Sequence, residues 1–206
     1  PSARVLIMRE QAHPLGAVIG HRGCAAHAPE NTLDGFAMAA AFGCDAVECD
    51  VRLTADGVPV LLHDATFDRT GPGRGRLAAR PFSRLPRNGP PTLAAALDAA
   101  ASLGLGLNIE IKTDLAPGAA ARTAAAVGEA LRAARRGPPL VVSRFDPAAL
   151  TPLRAHIPVA LLGAERPQAA LRRARRMGCA AVHFAGALID AAVAAGVERA
   201  ARGRGV

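Results

Sequence analysis

Tryptophan and tyrosine are absent from this chain, and only six phenylalanines stand among its 206 residues. Core packing must therefore rest on Ala, Leu, Val and Ile. A basic surface without interleaved aromatics offers single-stranded nucleic acid no stacking platform, so no nucleic-acid partner is expected. No run of about 18 apolar residues occurs, and no membrane span is expected. The apolar run near the N-terminus is too short for a secretory signal and is broken by Arg9 and Glu10. Cys24, Cys44, Cys49 and Cys179 show neither C-x-x-C pairing nor zinc spacing, which suits reduced thiols in a cytoplasmic protein. Lysine is scarcest of the charged types: Lys112 is alone among 25 basic residues. In a chain that otherwise uses Arg, a retained Lys reads as a position needing a compact point charge. The formal net charge of +8 is thus almost wholly Arg on the basic side. Its densest cluster, Arg172, Arg173, Arg175 and Arg176, reads as a solvated helix face rather than a nucleic-acid or membrane patch.

What is present centres on residues 44–64, CDAVECDVRLTADGVPVLLHD. Read as a strand, Glu48 and Asp50 point to one face, while Val47, Cys49 and Val51 point to the other and suit a buried wall. Asp56-Gly57 predicts a two-residue type I′ hairpin turn. In that register Ala55 pairs with Val58, and Asp50 comes opposite His63, on the same face.

The rest of the chain alternates. A short strand over 17–21 ends in the polar tip His21-Arg22-Gly23. Asn31-Thr32 caps a helix that presents Leu33, Phe36, Ala37 and Ala40 and stops at Gly43. Residues 69–91, rich in Gly, Pro and Arg, predict an irregular loop. Thr92 caps a helix over 93–103, and a strand over 105–111 puts Asn108, Glu110 and Lys112 on one face. Further on, helices are expected over 118–136, 147–156, 168–177 and 189–201. Strands are expected over 140–143, 159–162 and 180–184. Repeated β-then-α order with short apolar strands predicts an α/β fold, a TIM-type (β/α) barrel in one domain over residues 1–206. Such barrels carry their sites at the carboxyl ends of the strands. His21, Glu48, Asp50, His63, Glu110 and Ser143 all fall there.

Glu48, Asp50 and Glu110 at one mouth would repel one another. Each could pair separately with an arginine, but three on one rim favour a shared divalent cation, Mg²⁺ or Ca²⁺, held by oxygen donors. His21 and His63 are the candidate proton carriers, either able to take either role. His27 reads equally as a substrate-loop or a surface residue. Arg22 could fork onto phosphate oxygens beside Lys112. A phosphate ester fits this mouth best.

At these residues a family pattern is recognisable. His21-Arg22-Gly23, Pro29-Glu30-Asn31-Thr32, Glu48-x-Asp50-Val51, Thr54-x-Asp56-Gly57, His63-Asp64, Arg69-Thr70 and Asn108-Ile109-Glu110-Ile111-Lys112 together resemble the glycerophosphodiester phosphodiesterase family, in its order and spacing. The resemblance implies a TIM-type barrel that cleaves small glycerophosphodiesters to an alcohol and glycerol 3-phosphate. It implies metal ligands at Glu48, Asp50 and Glu110, acid/base histidines at His21 and His63, and phosphate contacts from Arg22 and Lys112. The alternatives are a related barrel of the phospholipase D-like toxin or phosphoinositide lyase kind, and a non-catalytic phosphate-binding protein. Against the family, the loop after Arg69 is short, and the eighth strand, usually Trp-Thr-Val-Asn-like, has no counterpart near Arg204-Gly205-Val206. A barrel without its closing strand is expected to expose an open edge.

Overall fold

A computed structural model describes residues 15–16, 18–113, 116, 118–134, 137–163 and 167–184. The expected last helix over 189–201, and the region where an eighth strand was sought, lie outside the described residues. Two compact units divide the chain near residue 140, and each is taken separately.

The first unit is built on β2 (Ala46–Leu53), the longest strand. Along one edge it pairs in parallel with β1 (Ile19–Gly20), matching Ile19 to Ala46. Along the other it runs parallel to β4 (Gly106–Ile111), from Ala46 opposite Gly106 to Val51 opposite Ile111. Its last residues pair antiparallel with β3 (Pro59–Leu61). Val47, Cys49 and Val51 are fully buried, the wall expected from the alternation.

α1 (Leu33–Ala41) begins where Thr32 Oγ1 accepts a hydrogen bond from the Gly35 amide at 3.1 Å and so satisfies one of the orphan donors of the first turn. It ends at Gly43, whose φ of +75° is the left-handed stop that glycine adopts freely. Phe36 and Ala39 face the core with no exposure, whereas Ala37, expected inside, is exposed. α2 (Leu93–Ser102) starts the same way, with Thr92 Oγ1 accepting from the Ala95 amide. The loop before it is irregular as expected, apart from two short 3₁₀ turns at Leu77–Ala79 and Phe82–Arg84. Val60, Leu62, Phe67 and Leu77 form a small core beneath it. α3 (Ala119–Ala133) follows β4.

In the second unit β5 (Leu140–Arg144), β6 (Val159–Gly163) and β7 (Ala181–Phe184) pair in parallel. α4 (Pro167–Met177) connects β6 to β7. Leu171 and Ala174 of this helix pack against Leu161, Val182 and Phe184, while Arg172, Arg173, Arg175 and Arg176 face solvent. The helix expected over 147–156 is only a 3₁₀ turn at Pro147–Leu150. Pro152 explains the shortfall: it has no amide hydrogen to continue an α-helical ladder, and its ring disfavours helix before it.

The hairpin register differs from expectation. Leu53 pairs with Pro59 and Arg52 with Val60, so the loop holds Ala55, Asp56 and Gly57 rather than two residues. The Gly57 amide donates to Thr54 O at 3.1 Å, the Thr54 and Val58 backbones bond across the neck, and Gly57 alone of the loop has positive φ, +81°. This is a type I turn closed by a left-handed glycine. Thr54 Oγ1 donates to Asp56 Oδ1 at 2.5 Å and accepts from the Val58 amide, a local network the Asp-Gly signal does not reveal. Asp50 therefore comes opposite Leu62, whose amide donates to Asp50 O, and His63 lies beyond β3 rather than within the ladder.

A Cβ at Gly57 would meet nothing within 4 Å, so Gly57→Ala should lose only the backbone term, about 1–2 kcal/mol. Asp56→Gly should also lower the urea midpoint, because the bonds Asp56 Oδ1 accepts from Thr54 and from the Phe82 amide are lost. A type I′ turn would welcome glycine at both positions. An Asp56→Gly midpoint at or above the parent's would contradict the observed register.

Candidate active site

The parallel register of β2 and β4 sets Glu48 opposite Asn108 and Asp50 opposite Glu110. Side chains directly across a ladder share a face, so two carboxylates from one strand and one from the next converge. One oxygen from each of Glu48, Asp50 and Glu110 lies within 4.8 Å of the others. Asp50 is 1% exposed and Glu48 7%. Burial pushes the Glu48 carboxyl well above its ordinary range, and the charge of Asp50 pushes it further. Glu110 is raised for the same leading reason, opposed by Lys112.

What offsets the repulsion comes from three directions. Lys112 Nζ is 3.2 Å from Asp50 Oδ1 and also bonds Glu110 Oε1. Asn31 clasps Asp50 twice, donating from Nδ2 to Oδ2 and accepting the Asp50 amide on Oδ1, both at 2.9 Å. The loop after β1 wraps Glu48: the Arg22 amide donates to Oε2 at 2.8 Å and the Gly23 amide to the main-chain oxygen at 3.0 Å. This wrapping forces left-handed φ values on Arg22 (+52°) and Asn31 (+57°). Asn accepts that region readily; for Arg it is a costlier choice, held by the surroundings.

The cationic and imidazole groups ring this cluster. Arg22 Nε lies 3.3 Å from Asp50 Oδ2. His21 Nε2 is 3.9 Å from Glu48 Oε2, and partial burial together with the Arg22 charge holds its pKa below the ordinary histidine value. His63 lies near enough to Glu110 for its charge to favour that carboxylate. His63 Nδ1 meets Asp64 Oδ1 at 2.6 Å. The seven candidate ligands, proton carriers and phosphate contacts thus belong to the first unit, and the carboxylates, Lys112, Arg22 and His21 are linked through contacts of 3.9 Å or less. His27, by contrast, is exposed and stacks edge-on against Phe42, ring centroids 5.1 Å apart. Ser143 is fully buried in β5 of the second unit.

Four residues given no site role by the sequence stand beside these. Asn31 orients Asp50. Glu30 accepts from Arg22 Nη1 at 3.1 Å and from both terminal nitrogens of Arg69 at 2.8 and 2.9 Å. Arg69 Nε reaches Asp64 Oδ2 at 2.6 Å, and this ion pair holds the Asp64 carboxyl well below the usual carboxylate range. They sit on loops, where periodicity says nothing about contact.

The donor set fits a hard divalent cation. All three candidate ligands are carboxylate oxygens. Their spread matches oxygens on one Mg²⁺ or Ca²⁺, which lie up to about 4–5 Å apart given typical metal–oxygen distances. Glu48 Oε1 is buried without any hydrogen-bond partner, a costly state for a carboxylate unless a cation completes it.

The first unit thus carries an acidic cluster on its parallel strands, ringed by histidines and fixed cations. The model of the glycerophosphoryl diester phosphodiesterase family matches residues 21–205, and the chain belongs to that family. The fold is correspondingly the α/β fold of that family's solved structures, the class expected from the sequence. An Oleispira antarctica phosphodiesterase, solved in complex with the product sn-glycerol-3-phosphate, superposes with a TM-score of 0.81 at 30% identity, covering 89% of this chain and 81% of that one. A glycerophosphodiester phosphodiesterase from Thermotoga maritima gives 0.74 at 25% identity, covering 92% and 82%. Human glycerophosphodiester phosphodiesterase 1 is 43% identical over 90 residues, which is 44% of this chain and 27% of the human protein. The chain thus matches about a quarter of that relative's length. No helix among the described residues is long and apolar enough to cross a membrane.

The raised carboxyl of Glu48 carries a sign that can be tested. A group whose folded pKa lies above its unfolded value binds its proton more tightly when folded. Its contribution is then favourable at acid pH and is lost as pH rises through the folded value. In chelator, Glu48→Gln should therefore melt higher than the parent at pH 7.5. The gap should close toward pH 4, where Glu48 is itself protonated. An equal gap at both pH values would contradict the raised carboxyl.

Proposed function

We propose that this chain hydrolyses glycerophosphodiesters to an alcohol and glycerol 3-phosphate, with a divalent cation, Mg²⁺ or Ca²⁺, held by Glu48, Asp50 and Glu110. The observation that carries the reading is the convergence of those three carboxylates within 4.8 Å, in a chain of this family. The Oleispira relative's complex with sn-glycerol-3-phosphate supports a small phosphorylated polyol as the product.

When bound, such an ion supplies positive charge to the non-bridging phosphoryl oxygens. Arg22 and Lys112 add fixed charge from either side of Asp50 and orient the phosphate, so that negative charge growing on its oxygens meets preorganised donors. Lys112 suits this place as a compact ammonium on a short reach; a planar guanidinium would crowd two carboxylates it must share. His21 and His63 divide the proton work. One takes the proton from the attacking oxygen as its bond to phosphorus forms, and the other delivers a proton to the departing alcohol oxygen as its bond to phosphorus breaks. In sum one water is consumed, its hydroxyl ending on phosphorus and its remaining hydrogen on the alcohol. His21 stays neutral over more of the physiological range than an ordinary histidine, since burial and Arg22 lower its pKa, so it is available to accept a proton.

Release of choline and glycerol 3-phosphate from glycerophosphocholine is the direct assay. Chelation should abolish it, and Mg²⁺ or Ca²⁺ should restore it. His21→Ala and His63→Ala should each lower kcat by about 10²–10⁴-fold, the usual contribution of a positioned proton carrier. Full activity after thorough chelation, or an undiminished rate in either histidine variant, would contradict the proposal.

A further inference from the structure

A chain of charged groups joins the two histidine-bearing loops and meets the carboxylate cluster only at its Arg22 end. It begins at His63, whose Nδ1 meets Asp64 Oδ1 at 2.6 Å. Asp64 Oδ2 accepts from Arg69 Nε at 2.6 Å. Arg69 then turns its two terminal nitrogens onto Glu30, at 2.9 and 2.8 Å. Both Glu30 oxygens also accept from Arg22 Nη1, each at 3.1 Å. One guanidinium thus holds two carboxylates with three donors, and each carboxylate holds one further cationic or imidazole group.

We infer that Arg69 and Glu30 are positioning residues: Arg69 acts through Asp64 to fix the ring and tautomer of His63, and Glu30 directly fixes the guanidinium of Arg22. The inference rests on the roles proposed above for those two residues. A carboxylate on Nδ1 keeps the proton there and leaves Nε2 as the working nitrogen. Asp64 can do this only if it is itself held, since a free carboxylate rotates. Arg69 Nε engages its other oxygen and leaves one orientation. On the opposite side, Arg22 lies 3.3 Å from Asp50 and would be drawn fully onto that carboxylate. Glu30 pulls its terminal nitrogen outward instead, where a phosphate oxygen can meet it. The side chains of Arg69 and Asp64 are 47% and 29% exposed, so solvent screens the charges and little stability is expected from them. The three-donor geometry is directional rather than strong, which is what an orienting role needs.

This separates the inference from a merely structural salt bridge. Arg69→Ala should lower kcat on glycerophosphocholine by about 10–100-fold, within the range lost when a proton carrier is misplaced, while the melting temperature stays within a degree or two of the parent's. Arg69→Lys should recover little of the rate, because one ammonium cannot serve both carboxylates with a fixed fork. In the His63→Ala background Arg69→Ala should cost about threefold or less, because its target is gone; this non-additivity is the signature of action through His63. Exchanging the pair, Glu30→Arg with Arg69→Glu, should not rescue, since the new arginine would face Arg22 and the new glutamate Asp64. A full additive loss in the His63→Ala background, rescue by the exchange, or a normal rate in Arg69→Ala would overturn the inference. If instead the parent is inactive, or His63→Ala is as fast as the parent, the proposed function fails and the positioning role falls with it.

Discussion

Everything in the first unit answers to the repulsion among Glu48, Asp50 and Glu110. Three carboxylates within 4.8 Å, two of them almost wholly buried, are an arrangement that folding alone would not select. Each buried charge forfeits hydration, and each neighbour raises the cost of ionising the next. The surroundings are organised to offset that cost. Lys112 sits between two of the carboxylates, Asn31 grips Asp50 with both ends of its amide, and the Arg22–Gly23 amides close over Glu48. The left-handed backbone at Arg22 and Asn31 follows from those grips, so strain in the loop and charge in the strand are one feature. Glu48 Oε1, buried with no hydrogen-bond partner, is the atom that the proposed cation would complete.

This explains why the site was legible in the sequence to the extent it was. Glu48 and Asp50 on one strand face follow from period-two geometry alone, and Glu110 follows from the next parallel strand. The isolation of Lys112 in an arginine-rich chain marked it as a residue chosen for size, and it does bridge two of the carboxylates. Helix starts at Thr32 and Thr92 were readable because a cap is a local event. The hairpin register was not, because Asp-Gly is compatible with two loop lengths. What selects between them is Thr54, whose hydroxyl bonds both Asp56 and the Val58 amide. His63 still reaches the site, but by leaving the ladder rather than by standing opposite Asp50.

Glu30, Asn31, Asp64 and Arg69 lay in plain view within family-like segments, yet nothing in their spacing assigned them contacts. Asn31 reaches Asp50 across 19 residues of sequence and Arg69 reaches Glu30 across 39, from positions outside the strands. Their importance is visible only once the loops are placed. The relatives carry the same lesson at a larger scale: identity of 30% accompanies a TM-score of 0.81, so the frame that brings these loops together persists while most side chains change.

The central claim is that the carboxylate cluster is a cation site. Calorimetric titration of the chelator-stripped chain with Ca²⁺ and Mg²⁺ tests it without reference to any substrate. One ion per chain is expected, with binding lost in both Asp50→Asn and Glu110→Gln while circular dichroism shows each variant folded. No saturable binding to the parent, or binding unchanged in both variants, would contradict the account.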